Sequence, residues 1–166
     1  MNLSQDPAAL AILKAAILAD PVLASQPMTA DGAFAIATVM NLNASPSFWV
    51  FRRNIPQSEI GKTVSYIAIA AMTTANLDRV NNFLNLNQDT FHGRDDVKTF
   101  LNDTFSGALG GQGQATRDAL DLMLRRLATR AERLYTTGTG STIAPGALTH
   151  EGALSYQDVE TARALP

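Results

Sequence analysis

The chain has no cysteine, a single tryptophan and two histidines, and only 17% of its 166 residues are charged. Absence of thiols excludes disulfides, thiolate-held zinc and cysteine nucleophiles, and removes any sign of the redox compartment. His92 and His150 lie far apart, and no Asp or Glu stands at a metal-ligand helical spacing from either, so both read as surface residues and no metal site is expected. A net charge of −2 and a pI near 5.6 argue against capture of nucleic acid by bulk charge, so any DNA contact must be local. No basic stretch precedes the first apolar run, which Lys14 and Asp20 interrupt, so neither a secretion signal nor a membrane span is expected.

Catalytic constellations are equally scarce. Ser58 with Glu59, and Asp95 with Asp96, each occupy a helix start where capping accounts for them. The glycines from Gly107 to Gly113 precede a helix but lack the lysine and hydroxyl pair of a phosphate loop, and read as a hinge. No catalytic residue, cofactor or metal ligand is therefore assigned, and an enzyme is not expected.

What the chain does contain is apolar residues, at 46%, with alanine carrying much of the excess. The length suits one domain with a respectable core. Low charge with many small residues suggests surface covered by something other than water; a symmetric homo-oligomer would cover it, and Ala-rich helices within a monomer are the alternative.

Helical signals dominate. Asp6-Pro7 starts a helix that ends near Asp20-Pro21, with Leu10, Leu13, Ile17 and Leu18 on its apolar face. Thr29 or Asp31 opens a second, containing Phe34, Ile36, Val39 and Met40. The segment Ser47 to Pro56 packs Phe48, Trp49 and Phe51 together as a core wedge with Val50, and holds Arg52 and Arg53 at the adjacent surface. Residues Ile60 to Met72 could alternate as a strand, but the flanking signals favour a buried helix. Thr73 caps a further helix with a Met72–Leu77 staple, and Asp95 or Asp96 caps one containing Val97, Phe100, Leu101 and Phe105.

The longest periodic segment, Gln114 to Tyr135, repeats Leu120, Leu124, Leu127, Ala131 and Leu134 by fours and threes and predicts one helix on the order of 30 Å long. It would stack Arg126, Arg130 and Arg133 on one face, either solvated and salt-bridged or meeting an acidic partner or passing DNA. Beyond it the glycine- and threonine-rich residues 136–166 offer little to a private core, with Ile143, Leu148, Leu154 and Tyr156 spaced as anchors for a neighbour. The expected architecture is all-α: a helical bundle over residues 1–135 with one long C-terminal helix, then an extended C-terminal arm over 136–166.

Two stretches, Trp49-Val-Phe-Arg-Arg-Asn-Ile-Pro56 with Glu59-Ile-Gly61, and Ala128-Thr-Arg-Ala-Glu-Arg-Leu-Tyr135 leading into Thr137–Thr142 and Pro145, resemble a small protein type of tailed-bacteriophage virions. Thr74–Arg79 and Asp103–Gly107 extend the resemblance. It implies a structural subunit of the head-to-tail neck, an adaptor or head-completion protein docked under the portal. Such a subunit would form a dodecameric homo-oligomeric ring around the channel for genomic DNA, contact tail or further neck proteins, and reside in the virion after assembly in the host cytoplasm. A tail terminator or other tail protein, which would need a substantial β-sheet, and a small DNA-binding regulator using the arginine face are the alternatives.

Overall fold

The computed structural model describes residues 1–86, 90–106 and 109–166. Along the described residues run α1 (Pro7–Ala19), α2 (Pro21–Ala24), α3 (Ala30–Met40), β1 (Trp49–Phe51), β2 (Ile55–Pro56), α4 (Gln57–Thr63), α5 (Tyr66–Ala70) and α6 (Thr74–Leu86). Then follow β3 (Thr90–Phe91), α7 (Asp95–Thr104), α8 (Gly110–Met123), β4 (Arg125–Leu127), α9 (Arg130–Arg133), β5 (Thr136–Thr137), β6 (Ala147–Leu148) and α10 (Tyr156–Ala164). The strands form three two-stranded sheets, β1 with β4, β2 with β3, and β5 with β6, the last two antiparallel. The fold is thus mixed, mostly helical with small strand pairs, and not all-α. Two compact units result: unit 1 joins Met1–Val50 to Leu127–Pro166, and unit 2 is the intervening Phe51–Arg126.

Unit 1 begins with local capping. Asp6 accepts a hydrogen bond from the Ala9 amide at 3.0 Å and Pro7 occupies the first turn of α1, while Thr29 accepts from the Gly32 amide to start α3. Leu10, Leu13 and Ile17 from α1 and Ile36 and Met40 from α3 form the core together with Leu154, Val159 and Ala162. The last two belong to α10, which packs on both α1 and α3. Tyr135 is buried beside them and donates its hydroxyl hydrogen to the Ala9 carbonyl at 2.8 Å. Burial, followed by the Asp158 and Asp6 carboxylates, pushes that phenol well above its ordinary pKa.

The expected arm is therefore part of this core. Leu148 and Leu154 are buried within their own chain, Tyr156 is partly exposed, and only Ile143 among the four anchors stands fully out, at 81% exposure. The reason lies in polar ties that composition does not reveal. The Leu154 amide donates to the Asn41 side-chain oxygen at 2.7 Å, and the Asn41 side-chain amide returns a bond to the Leu154 carbonyl at 2.9 Å. Ser155 and Asp158 form a capping box at the start of α10, and Asp158 also accepts from the Leu3 amide.

The single long helix is also overturned. Helix α8 stops at Met123, Leu124 caps it, and the next three residues extend as β4. A capping box between Thr129 and Glu132 then starts the four-residue α9. Local helix-start chemistry and strand pairing beat the heptad-like spacing, and Leu120, Leu124 and Ala131 are buried without sharing one helix.

Within unit 1, Phe48 packs with Val50, Ala128 and Leu148. Its ring lies over Gly140 and Gly146, where a Cβ would collide with it; Gly140 also adopts φ +65°. The Trp49 amide donates to the Gly140 carbonyl at 2.7 Å and the Gly146 amide to the Trp49 carbonyl at 2.8 Å. The expected wedge is thus largely the strand β1, in which Val50 and Phe51 are buried and Trp49 is half-buried, with half-buried Phe48 just ahead of it.

Unit 2 builds its own core from Ile55, Ile60, Phe91, Leu101, Phe105 and Leu120. Phe83 of α6 stacks on Phe100 at 5.1 Å and meets Phe91 edge-on at 5.6 Å. The run Ile60 to Met72 is two short helices, since Ser65 caps α5 after an extended Val64. Pro56 lies just before α4 in an extended conformation, and Arg94, not Asp95 or Asp96, holds the cap position of α7. Gly107, at the head of the expected glycine hinge, lies outside the described residues, and α8 already begins at Gly110.

Because Leu154 seats the C-terminal segment, Leu154→Ala should destabilise unit 1 by about 2–5 kcal/mol, read from chemical denaturation. Truncation after Ala153 should abolish its cooperative unfolding, the opposite of what a dispensable arm predicts.

Candidate protein-docking cleft

The capping box that starts α9 also aims its charges. Thr129 accepts from the Glu132 amide at 3.1 Å, Glu132 accepts from the Thr129 amide at 3.0 Å, and the single turn that they start carries Arg130 and Arg133 three residues apart. Both arginines line a cleft of about 400 Å³ whose walls include Ala16, Ala19, Leu23, Met40 and Leu134. The small side chains of Ala16 and Ala19 leave the space that larger residues on α1 would fill.

The two guanidinium groups differ in what holds them. Arg130 donates to Asp20 Oδ2 at 2.8 Å, while Asp20 Oδ1 accepts from the Val22 and Leu23 amides at the start of α2. The Arg130 hydrogen bond, aided by those amides against the cost of partial burial, holds the Asp20 carboxyl below its ordinary pKa. Arg133 lies over the Phe48 ring at 5.7 Å and makes no ion pair with any described residue. The cleft accordingly combines an apolar floor, one neutralised ion pair and one uncompensated positive charge.

Arg126 lies on β4 and Arg130 and Arg133 on α9, so the expected stripe of three arginines on one face of a single helix does not form. Asp20 is the residue that sequence reasoning missed. It stands 110 positions from Arg130, and its local signal, a cap ahead of Pro21, accounts for it without a distant partner.

Other expected residues have structural surroundings. His150 approaches Asp6 at 3.3 Å and packs edge-on against Tyr135, and His92 accepts from the Asn54 amide at 3.4 Å. Glu59 forms a two-pronged pair with Arg52 at 2.9 and 3.1 Å, which holds its carboxyl below the ordinary range. Among the described residues no group of three His, Asp or Glu side chains gathers as a metal site, and no helix is long and apolar enough to cross a membrane.

A second feature of unit 1 is exposed apolar surface on helices α1 to α3 and the loop before α3: Leu18, Val22, Met28 and Phe34 are 63%, 66%, 72% and 64% exposed. Leu18 and Met28 line one shallow groove with Lys14 and Arg163, and Met28 and Arg163 continue into a neighbouring groove beside Ala33. Comparison with protein-family models, curated proteins and solved structures gives no match.

The Asp20 carboxyl should titrate below the usual carboxylate range when followed by NMR. A depressed folded-state pKa adds stability above the unfolded-state value, and that contribution is lost as pH falls through the folded one. Arg130→Gln should move the titration back toward the ordinary value and reduce the acid-dependent loss of stability.

Proposed function

We propose that this chain is a structural assembly subunit whose unit 1 is covered by other protein, with a ring-forming component of the bacteriophage head-to-tail neck as the narrower form of that reading. The observation that carries it is the set of large apolar side chains Leu18, Val22, Met28 and Phe34, all more than half exposed on helices α1 to α3 and the loops between them. Leu18 and Met28 line one groove, and exposed apolar side chains of this size mark surfaces that gain free energy when another protein covers them. The low charge content lowers the desolvation cost of such a contact.

The neck assignment draws on the resemblance of the Trp49–Pro56 and Ala128–Pro145 stretches. Parts of these stretches pack against one another within unit 1, so they support the fold directly and a docking arm not at all. Assembly in this reading proceeds through preformed faces. The DNA-regulator alternative asks for Arg126, Arg130 and Arg133 on one helix face and the tail alternative for a substantial sheet; among the described residues Arg126 lies on β4 apart from α9 and the sheets are two-stranded, so neither alternative gains support.

The test is sedimentation and electron microscopy of the full chain, alone and with a portal ring. The wild type should form multimers or decorate the portal. Leu18→Glu with Met28→Glu should reduce association while leaving the helical circular dichroism unchanged. A wild type that stays monomeric and ignores the portal would sink the assembly reading.

A further inference from the structure

The geometry points to the Arg133 cleft of one copy as the socket for the Asp31–Phe34 face of a second copy, giving a head-to-tail contact. This rests on the assembly reading and names the surfaces that carry it. Asp31 and Phe34 lie three residues apart on α3, both exposed on the side opposite the buried Ile36 and Met40. They present a carboxylate next to an aromatic ring. Asp31 makes no ion pair with any described residue.

Charge and shape in the cleft match that pair. Arg130 is already neutralised by Asp20 at 2.8 Å, so the cleft carries the single net positive charge of Arg133 and accepts one carboxylate. The floor of Ala16, Leu23 and Met40 is apolar, and about 400 Å³ accommodates an aromatic side chain. Two other exposed carboxylates beside apolar side chains have company of their own: Asp118 near Leu122 accepts from the Gln114 side chain, and Glu160 near Tyr156 shares a groove with Arg163.

The placement also makes the contact directional. Ala16 and Ala19, at the cleft, lie on one flank of α1, and Lys14 and Leu18 lie on the other, beside the groove that Met28 shares. Met40, which lines the cleft, lies on the buried face of α3, and Asp31 and Phe34 lie on its exposed face, so socket and plug are different surfaces of one unit. A contact of that kind is heterologous, so it propagates from copy to copy and closes into a ring when the rotation permits.

Charge exchange tests it. Arg133→Asp and Asp31→Arg should each weaken self-association of the full chain by about tenfold or more, because each sets like charges face to face. An equimolar mixture of the two variants should assemble again, since every contact in alternating order then pairs opposite charges. The chain carrying both substitutions should do the same. Recovery on mixing also shows that neither single variant is misfolded.

Wild-type multimers that none of these variants disturbs would overturn the socket while leaving the assembly reading in place. Loss in the single variants without recovery on mixing would overturn the Asp31 pairing. Octanoate, a single carboxylate on an apolar chain, serves as the probe for a small-molecule site. If it binds the wild type and Arg133→Asp abolishes that binding while sedimentation is unchanged by every variant, the cleft takes a small amphipathic anion and the inference fails.

Discussion

A buried carboxylate sets the layout of unit 1. Glu132 is 1% exposed, and its two oxygens accept from the Thr129 amide at 3.0 Å and the Gly152 amide at 2.9 Å. Taking a charge out of water is costly unless such partners compensate it, so the side chain commits the fold to both contacts at once. The first starts α9 and thereby orients Arg130 and Arg133. The second fixes the loop that delivers the chain to α10. Gly152 adopts φ +102° there, with the amino terminus close to where a Cβ would project, so a side chain would be both strained and crowded.

From that point a succession of polar ties sets the register, and apolar burial supplies most of the energy. Asn41 exchanges two hydrogen bonds with Leu154, and Asp158 joins the Leu3 amide to the Ser155 cap. These contacts are few, yet each satisfies a backbone group at a place where misregistration would leave it unpaired. Val159 and Ala162 then reach the core on a helix whose average character is polar. The alanines of α1 and α3 matter here, because small side chains let the helices approach and make a short, weakly apolar α10 sufficient to close the unit.

How much of this was legible in the sequence depended on the distance between a residue and the group it satisfies. Asp6 and Thr29 cap amides three residues away, and their helices begin where local chemistry says they should. The spacing of Leu120, Leu124 and Ala131 correctly reported burial and wrongly reported conformation, since an interrupted segment can present the same residues to the interior. The Thr129–Glu132 box was the available sign of that interruption. The ion pair of Asp20 with Arg130 had no local sign at all, and neither did the clamp of Asn41 on Leu154. For the same reason the C-terminal segment looked homeless: its partners are at the opposite end of the chain. The candidate cleft was half visible, through Arg130 and Arg133, while its floor depended on long-range packing.

The folding of that segment changes the physical account of assembly. A disordered arm must lose conformational freedom as it binds, which weakens affinity for a given contact area. A preformed socket and plug avoid most of that cost and can associate through a smaller surface. They also place stricter demands on shape, because a rigid heterologous contact fixes the rotation between copies, and that rotation decides between a closed ring and an open filament. Phe48 links the two features: its ring is seated on Gly140 and Gly146 and lies under the Arg133 guanidinium at 5.7 Å, so the glycine-rich stretch holds the ring that faces this cation. The stretch that resembled an arm then acts as a scaffold for the charged wall of the cleft.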